Sequence, residues 1–351
     1  MTKGYLCVTL GNMTTASPFC AIVPPYVLDR LAEQGHLAAV RSLAIDAVHR
    51  EARLLPGTPT SGPARPQRVI RDARHTERLP GRTVRTEGAA PVHDESVNHA
   101  YDGLGATYAL FSEVYGRPSI DGAGLRLDAT VHYGRHYDNA FWDGQRMVFG
   151  DGDGVVFGDF TTCLDVIGHE LSHGVTQFTA GLDYRGQSGA LNESLSDVFG
   201  ALVKQYALRQ DAGDADWLIG SGLLAPGVQG VALRSMKAPG TAYDDPRLGK
   251  DPQPAHLRDY VDTDGDAGGV HINSGIPNHA FYLLATALGG PAWERAGRIW
   301  YDTLTGGRLP ADADFTAFAR DTVAAAAARY PEPAVANTVT AAWAKVGISV
   351  G

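Results

Sequence analysis

The sequence predicts an α+β protein of two lobes, a β-rich lobe followed by a mainly helical one, with a cleft between them. Three observations carry this. Short strand-like runs separated by turn signals occupy the chain up to Phe160. From Thr161 onward the apolar spacing is predominantly helical. A Pro-, Gly- and Arg-rich stretch from Pro56 to Arg85 has linker composition and sets the front of the chain apart. With 351 residues, 44% hydrophobic and 20% charged, the chain is long enough for two or three packed units and apolar enough to give them cores.

In chain order, Ala21 to Arg53 opens on Pro24-Pro25, whose rings fix φ, and continues with Val27, Leu28, Leu31 and Leu37 to Val40 at helical spacing. The arginine-rich linker reads as a solvated, protease-accessible connector or an edge strand. A helix is predicted between Asp94 and Gly116, from the period of Val97, Ala100, Tyr101, Leu104, Tyr108, Phe111 and Val114. Strand-like runs follow at Leu125 to Tyr133, Arg146 to Phe149 and Val155 to Phe160, with Asp151-Gly152-Asp153-Gly154 as a tight turn between strands. Leu164 to Thr179 is helical in spacing, with Thr161 or Thr162 as N-cap and Gly181 as the stop. The Ala-rich Asp321 to Tyr330 belongs to the helical end.

A formal net charge of -9 argues against nucleic acid or an anionic membrane as partner. The cysteines Cys7, Cys20 and Cys163 are too few and odd in number for a disulfide framework. No apolar run reaches the length of a membrane span, and Met1 to Ser17 lacks a signal-peptide core. The expectation is therefore cytoplasmic synthesis, with export left to a non-standard route.

The chemistry concentrates in His169-Glu170-Leu171-Ser172-His173. Histidines four apart leave one helical face about a turn from each other, so their imidazoles can take two corners of a zinc tetrahedron. Glu170 sits beside them, placed to reach water at the metal. A second helix runs through Gly189 to Asp197, where Glu193 and Asp197 share a face. Glu193 supplies a third ligand and leaves a fourth position for water, and Asp197 accepts from the far nitrogen of a ligating His. The plainer reading, a polar helix face, is at odds with the small and apolar flanks. Further on, His271 could donate to an oxyanion, with Asp266 orienting it.

These motifs resemble the thermolysin family of metallopeptidases. The likeness runs from about Val84 to the C-terminus and rests on Tyr137-Asp138-Asn139-Ala140-Phe141-Trp142, Gly168 to His173, Asn192-Glu193-Ser194 and Gly269 to Gly275. It implies zinc held by His169, His173 and Glu193, with Glu170 as general base. Tyr184 and His271 would stabilise the oxyanion. Asn139 and the backbone of Ala140 would hold the substrate strand, and Arg234 a carbonyl beyond the scissile bond. Phe157, Phe160, Val166 and Leu233 match the primed-side pocket, implying cleavage before a bulky apolar residue; ordinary core is their other reading. The front of the chain resembles the short-propeptide branch typified by protealysin through Ile22-Val23-Pro24-Pro25-Tyr26-Val27-Leu28. In that branch the segment lies over the active site and keeps the precursor inactive.

The resemblance divides the chain into propeptide and linker over residues 1–62, a β-rich lobe carrying the zinc-binding helix over 63–183, and a helical lobe over 184–351. Activating cleavage is expected within the linker, around Ser61 to Arg71. Cys20 reads as a small packed residue, a thiolate at the zinc being the alternative. Expected partners are peptide substrates and the chain's own propeptide, and the expected state is a monomer.

The sequence departs from the family at its calcium sites. Asp165 and Asp216 match two ligands, but Lys204, Leu218 and Ser221 stand where acidic ligands would be, and Ala225 and Val231 replace the polar ligands of a second site. Too few oxygens remain for calcium, and the Lys204 ammonium could stand in for its charge. Two other functions compete: a catalytically silent zinc-binding protein, which the presence of Glu170, Tyr184 and His271 disfavours, and a non-peptidase zinc hydrolase or narrow processing enzyme.

Overall fold

Pro24 and Pro25 hold the chain extended and then start its first helix. The structure, a computed structural model, describes residues 20–52, 62 and 65–350, so the readings that concern Met1 to Ser17, Cys7 and the opening of the linker fall outside the described residues. Strand β1 (Cys20–Ala21) precedes helices α1 (Pro25–Glu33) and α2 (Leu37–Ala52), which pack as a pair. Proline suits the first turn of α1 because the missing N–H would have no intrahelical partner there.

Strands β2 (Arg68–Asp72), β3 (Arg82–Thr86), β4 (Leu127–Val131), β5 (Ala140–Trp142) and β6 (Met147–Phe149) join β1 in one six-stranded sheet, ordered β1-β5-β6-β4-β2-β3. β2, β4 and β6 run parallel, and the other pairings are antiparallel. The arginine-rich stretch is therefore not a solvated connector throughout: it ends in β3, an edge strand as its composition allowed, whereas β2 lies inside the sheet, paired on both sides. Its arginines misled because they serve packing. The guanidinium carbons of Arg68 and Arg85 each lie 3.7 Å from the centroid of the Tyr101 ring, and Ile70 between them in sequence is fully buried.

Helix α3 (Glu95–Ala109) starts where Asp94 accepts from the backbone of Ser96 and Val97, and it continues into a wider turn over Leu110–Val114. The expected strand at Val155 to Phe160 does not form. Asp153 Oδ1 takes the N–H groups of Val155 and Val156 at 2.8 and 2.7 Å, curling the backbone, and only an isolated bridge joins Phe157 to Leu224. Asp151 to Gly154 is thus turn chemistry without a second strand. Thr161 and Thr162 do not cap the next helix either. They belong to a short 3-10 turn capped by Asp159, and Cys163 stands before α4 (Leu164–Gln177).

Helix α4 packs along α5 (Gly186–Leu208), the most extensive helix pair among the described residues. The approach is closest at two glycines: a Cβ on Gly200 would lie 2.5 Å from the Asp165 carbonyl, and one on Gly168 would lie 3.0 Å from Gly200 Cα. Only glycine at both positions lets the faces carrying His169 and Glu193 come together.

The second half holds two short ribbons, β7 (Leu218–Ile219) with β8 (Arg234–Ser235) and β9 (Asp244–Asp245) with β10 (Gly249–Lys250), followed by helices α6 (Asp266–Asn273), α7 (Gly275–Leu288), α8 (Ala296–Thr305), α9 (Phe315–Arg329) and α10 (Pro333–Lys345). Trp300 stacks on Trp343 with ring centroids 5.7 Å apart, and Phe318 meets both edge-on. Lys204 Nζ lies 2.7 Å from Asp165, 2.9 Å from Asp216 and 2.8 Å from the Leu218 carbonyl.

Candidate metal centre

Helix α4 places His169 and His173 one turn apart, and their Nε2 atoms face each other at 3.1 Å. Two nitrogens sharing one zinc tetrahedron stand roughly 3.3 Å apart, given bonds of about 2.0 to 2.1 Å. Both outer nitrogens are occupied: His169 Nδ1 by Asp197 at 2.7 Å, and His173 Nδ1 by Asn192 Oδ1 at 2.9 Å and Ser196 Oγ at 3.1 Å. Such partners fix which nitrogen stays free to bind a cation. From α5, Glu193 brings its carboxylate to 3.5 Å from His169 Nε2 and 3.7 Å from His173 Nε2.

Two buried oxygens at this point have no hydrogen-bond partner among the described residues, Glu193 Oε2 and Glu170 Oε1. An orphaned carboxylate oxygen costs free energy unless something positive meets it. The donor set of two imidazoles and one carboxylate, converging on unsatisfied oxygens, fits a zinc ion. Burial pushes His173 down to about 4, so it stays a neutral imidazole, the form a metal needs. Burial also pushes Glu193 up, but the pull of its cationic neighbours, His271 first, outweighs it and holds the carboxylate at about 2. Glu170 goes the other way. Burial first, then the charge of Glu193, raises it well above the carboxylate range, while Trp142 N–H donates to its Oε2 at 3.0 Å.

Opposite the histidines, the left-handed backbone from Asp266 to Gly269 wraps the start of α6. There Asp266 accepts from His271 twice, from Nδ1 at 2.6 Å and from the backbone N–H at 2.9 Å. His271 Nε2 thereby faces Glu193 Oε2 at 3.5 Å, with the Tyr184 hydroxyl 3.3 Å away. Tyr184 donates to Glu193 Oε1 through a short bond.

The described leader residues from Cys20 to Val23 lie in this site as a peptide strand. Cys20 and Ala21 pair antiparallel with Trp142 and Phe141, and Ile22 N–H donates to the Ala140 carbonyl at 3.0 Å. Asn139 brackets Val23, accepting from its N–H at 2.9 Å and donating to its carbonyl at 3.2 Å. Arg234 donates to the Ile22 carbonyl at 3.1 Å. Pro24 and Pro25 then turn the chain into α1, where Tyr26 is half-buried.

The reading of Cys20 as a small packed residue is corrected. Pairing with Trp142 carries its sulfur to Glu193 Oε1, to which it donates at 2.8 Å, and to 3.7 Å from His271 Nε2. Cys20, His169, His173 and Glu193 present ligand atoms that all lie within 4.8 Å of one another. Phe157, Phe160, Val166 and Leu233 are all buried in the main core, with the rings of Phe157 and Phe160 6.0 Å apart.

Sequence reasoning missed several partners. Arg234 is also a structural group, donating to both oxygens of Asp197 at 2.8 and 2.9 Å, and Asn278 adds a third donor to Asp197 at 2.8 Å. On α2, Asp46 accepts from Tyr137 at 2.5 Å and from Asn139 at 3.0 Å, while Ser42 accepts from Asp138 N–H at 2.9 Å. Asn192 and Ser196, at helical spacing beside Glu193, were the only ones with a sequence signal.

Comparison with known proteins decides the family. Residues 72–177 match the family described as thermolysin metallopeptidase, catalytic domain, and residues 180–348 match its alpha-helical domain. The chain belongs to the thermolysin metallopeptidase family. It is 52% identical over 339 residues to the extracellular metalloprotease of Pectobacterium carotovorum subsp. carotovorum, covering 95% of this chain and 97% of that one. It is 48% identical over 342 residues to protease PrtS of Photorhabdus sp. (strain Az29), covering 94% and 92%. Among solved structures, the precursor of protealysin, a metalloproteinase from Serratia proteamaculans, matches with a TM-score of 0.88 and 55% identity, covering 94% of this chain and 100% of that one. The chain is a metalloendopeptidase of this family, and its fold is that of the protealysin precursor. The expectation of cytoplasmic synthesis, with export left to a non-standard route, is overturned: a relative aligned over almost its whole length is named extracellular, which points to secretion.

Proposed function

We propose that this metallopeptidase is a zinc-dependent neutral endopeptidase held latent by residues Cys20 to Tyr26 of its own leader. The observation that carries the proposal is the coincidence of two things at one point. Two imidazole nitrogens 3.1 Å apart face orphaned carboxylate oxygens, and a main-chain strand of the same protein is hydrogen-bonded across them.

His169, His173 and Glu193 would hold the zinc, which supplies Lewis-acid polarisation of a carbonyl and acidification of water. Glu170 takes the proton of the attacking water and delivers it to the leaving amine. Its exclusion from solvent, and the Trp142 N–H that holds its Oε2 at 3.0 Å, fix it in place for that exchange. Tyr184 and His271 donate to the developing oxyanion, with Asp266 fixing the imidazole so that Nε2 points inward. His271 is raised despite its burial because Asp266 and Glu193 lie beside it, so it reaches the reaction as a donor.

A substrate would take the place of the leader strand. Asn139 would bracket one residue, the Ala140 carbonyl would accept from the next, and Arg234 would hold a carbonyl, as they do for Ile22 and Val23. Phe157, Phe160, Val166 and Leu233 would line the pocket for a bulky apolar side chain after the scissile bond. Latency then follows from occupancy of the cleft by Cys20 to Tyr26, within residues 1–62 as propeptide and linker, ahead of catalytic lobes 63–183 and 184–351. Activation would cut between residues 61 and 67. Of the rest of the window drawn from the sequence, Val69 to Arg71 are paired on both sides within β2 and closed to a protease.

The usual calcium position does not fit calcium in this chain. The Lys204 ammonium fills the space among Asp165, Asp216 and the Leu218 carbonyl, which are the oxygens a hard cation would need.

The test compares wild type with Glu170→Gln on casein and on a quenched peptide containing Ala-Phe. Loss of the general base should lower kcat/KM by several orders of magnitude with zinc retained. Equal rates would end the peptidase mechanism.

A further inference from the structure

We propose that His75, His132 and Asp151 form a second metal site, for a divalent transition ion such as zinc, at the carboxyl-end edge of the sheet. The topology brings them together. β2, β4 and β6 are adjacent parallel strands, and His75, His132 and Asp151 each lie within three residues of the carboxyl end of one of them. Loops gathered at the carboxyl ends of parallel strands are the part of an α/β sheet that converges on a ligand.

The geometry is close to what an ion needs. Asp151 Oδ1 lies 2.8 Å from His132 Nδ1, and Oδ2 lies 3.1 Å from His75 Nδ1, so one carboxylate faces both imidazoles. All three ligand atoms fall within 4.8 Å of one another. For an ion bonded at about 2.0 to 2.2 Å, the contacts of Asp151 with His132 and with His75 would open by a few tenths of an ångström. Imidazole and carboxylate together suit zinc, cobalt or nickel better than calcium or magnesium.

Two independent features support a built site over a chance surface pair. His132 has its second nitrogen, Nε2, held by Asp94 Oδ2 at 2.9 Å, the carboxylate-on-histidine arrangement that sets the tautomer of a metal ligand. Asp94 is itself anchored as the N-cap of α3. The two histidines are also tied to each other through the main chain, with His75 N–H donating to the His132 carbonyl at 2.8 Å, and both hold left-handed φ values of 56° and 54°. The ligands grade from His132, 17% exposed, through Asp151 at 29% to His75 at 52%, leaving one side open for water to complete the coordination.

Bound there, an ion would clip the ends of three strands and steady the turn leading from Asp151 to Phe157. The site shares no residue with the catalytic centre, so the two can be tested apart.

The experiment uses the full chain carrying Glu170→Gln, so that self-cleavage does not intervene. It is dialysed against buffered micromolar free zinc, and metal content and thermal midpoint are measured. Two equivalents of zinc are expected. His75→Ala, a change at a half-exposed side chain, should leave one equivalent and remove the zinc-dependent rise in midpoint. Asp94→Asn, which keeps an N-cap, should weaken the second ion about 10- to 100-fold. One equivalent in the parent chain, or a second ion retained by His75→Ala, would overturn the proposal.

Discussion

Replacing Cys20 by alanine should shorten the latency of the precursor without abolishing it. The thiol donates to the buried Glu193 carboxylate at 2.8 Å, and burial together with the charges of Glu193 and Glu170 keeps it protonated in the absence of a metal. A hydrogen bond to a charged group contributes about 1.5 to 3 kcal/mol, which corresponds to roughly a 10- to 100-fold change in the fraction of undocked leader. The bonds of Ile22 and Val23 to Ala140, Asn139 and Arg234 remain, so docking weakens and is not lost. The assay is the lag before hydrolysis of a quenched peptide by freshly purified precursor, read beside the appearance of the mature chain on a gel. The lag should fall by that factor, and the mature enzymes should then match, because Cys20 leaves with the leader. Cys20→Ser separates two contributions: a lag like wild type assigns the effect to the bond with Glu193, and a lag like alanine assigns it to the affinity of sulfur for zinc. An alanine variant with an unchanged lag would refute the role of the thiol.

Docking of the leader should also depend on pH through Asp46. Burial raises this carboxyl to about 6, against the pull of Tyr137, Arg50 and Asn139, whereas undocking returns it to the ordinary aspartate value. The docked state therefore binds the extra proton, docking is strongest below about pH 4, and on the order of 3 kcal/mol is lost as pH rises through 6. Retention of the nicked leader by a Glu170→Gln chain on size exclusion should fall between pH 4 and pH 7 and level off above that, and a flat profile across that range would contradict this. Lys204→Met should leave Asp165 buried without its partner and destabilise the protein by about 3 kcal/mol, read as a lower thermal midpoint. Calcium should not raise the midpoint of the wild type; a large rise would show that the ammonium does not fill the site.

What could be read from the sequence was what helices encode locally. His169 and His173 on one face, Glu193 and Asp197 on another, and Asp266 five residues before His271 are all set by short-range spacing, and the structure brings these groups together. Contacts between distant segments left no such mark. Cys20 reaches Glu193 only because a two-residue strand pairs with Trp142, and Asp46 reaches Asn139 only because α2 packs over the end of β5. Composition misled where polar side chains do packing work. Arg68 and Arg85 sandwich Tyr101, so β2 looked solvated although it lies within the sheet. The strand expected after Gly154 failed because one Asp153 oxygen captured the backbone that a neighbouring strand would have bonded.

The central claim is that His169, His173 and Glu193 jointly hold one zinc ion. Anomalous diffraction from crystals of the precursor, collected on either side of the zinc edge, tests it most directly. The account predicts a single strong peak in the catalytic cleft, about 2.0 to 2.2 Å from both Nε2 atoms and from a Glu193 oxygen. A cleft without zinc, or a peak to which Glu193 is not bonded, would contradict it.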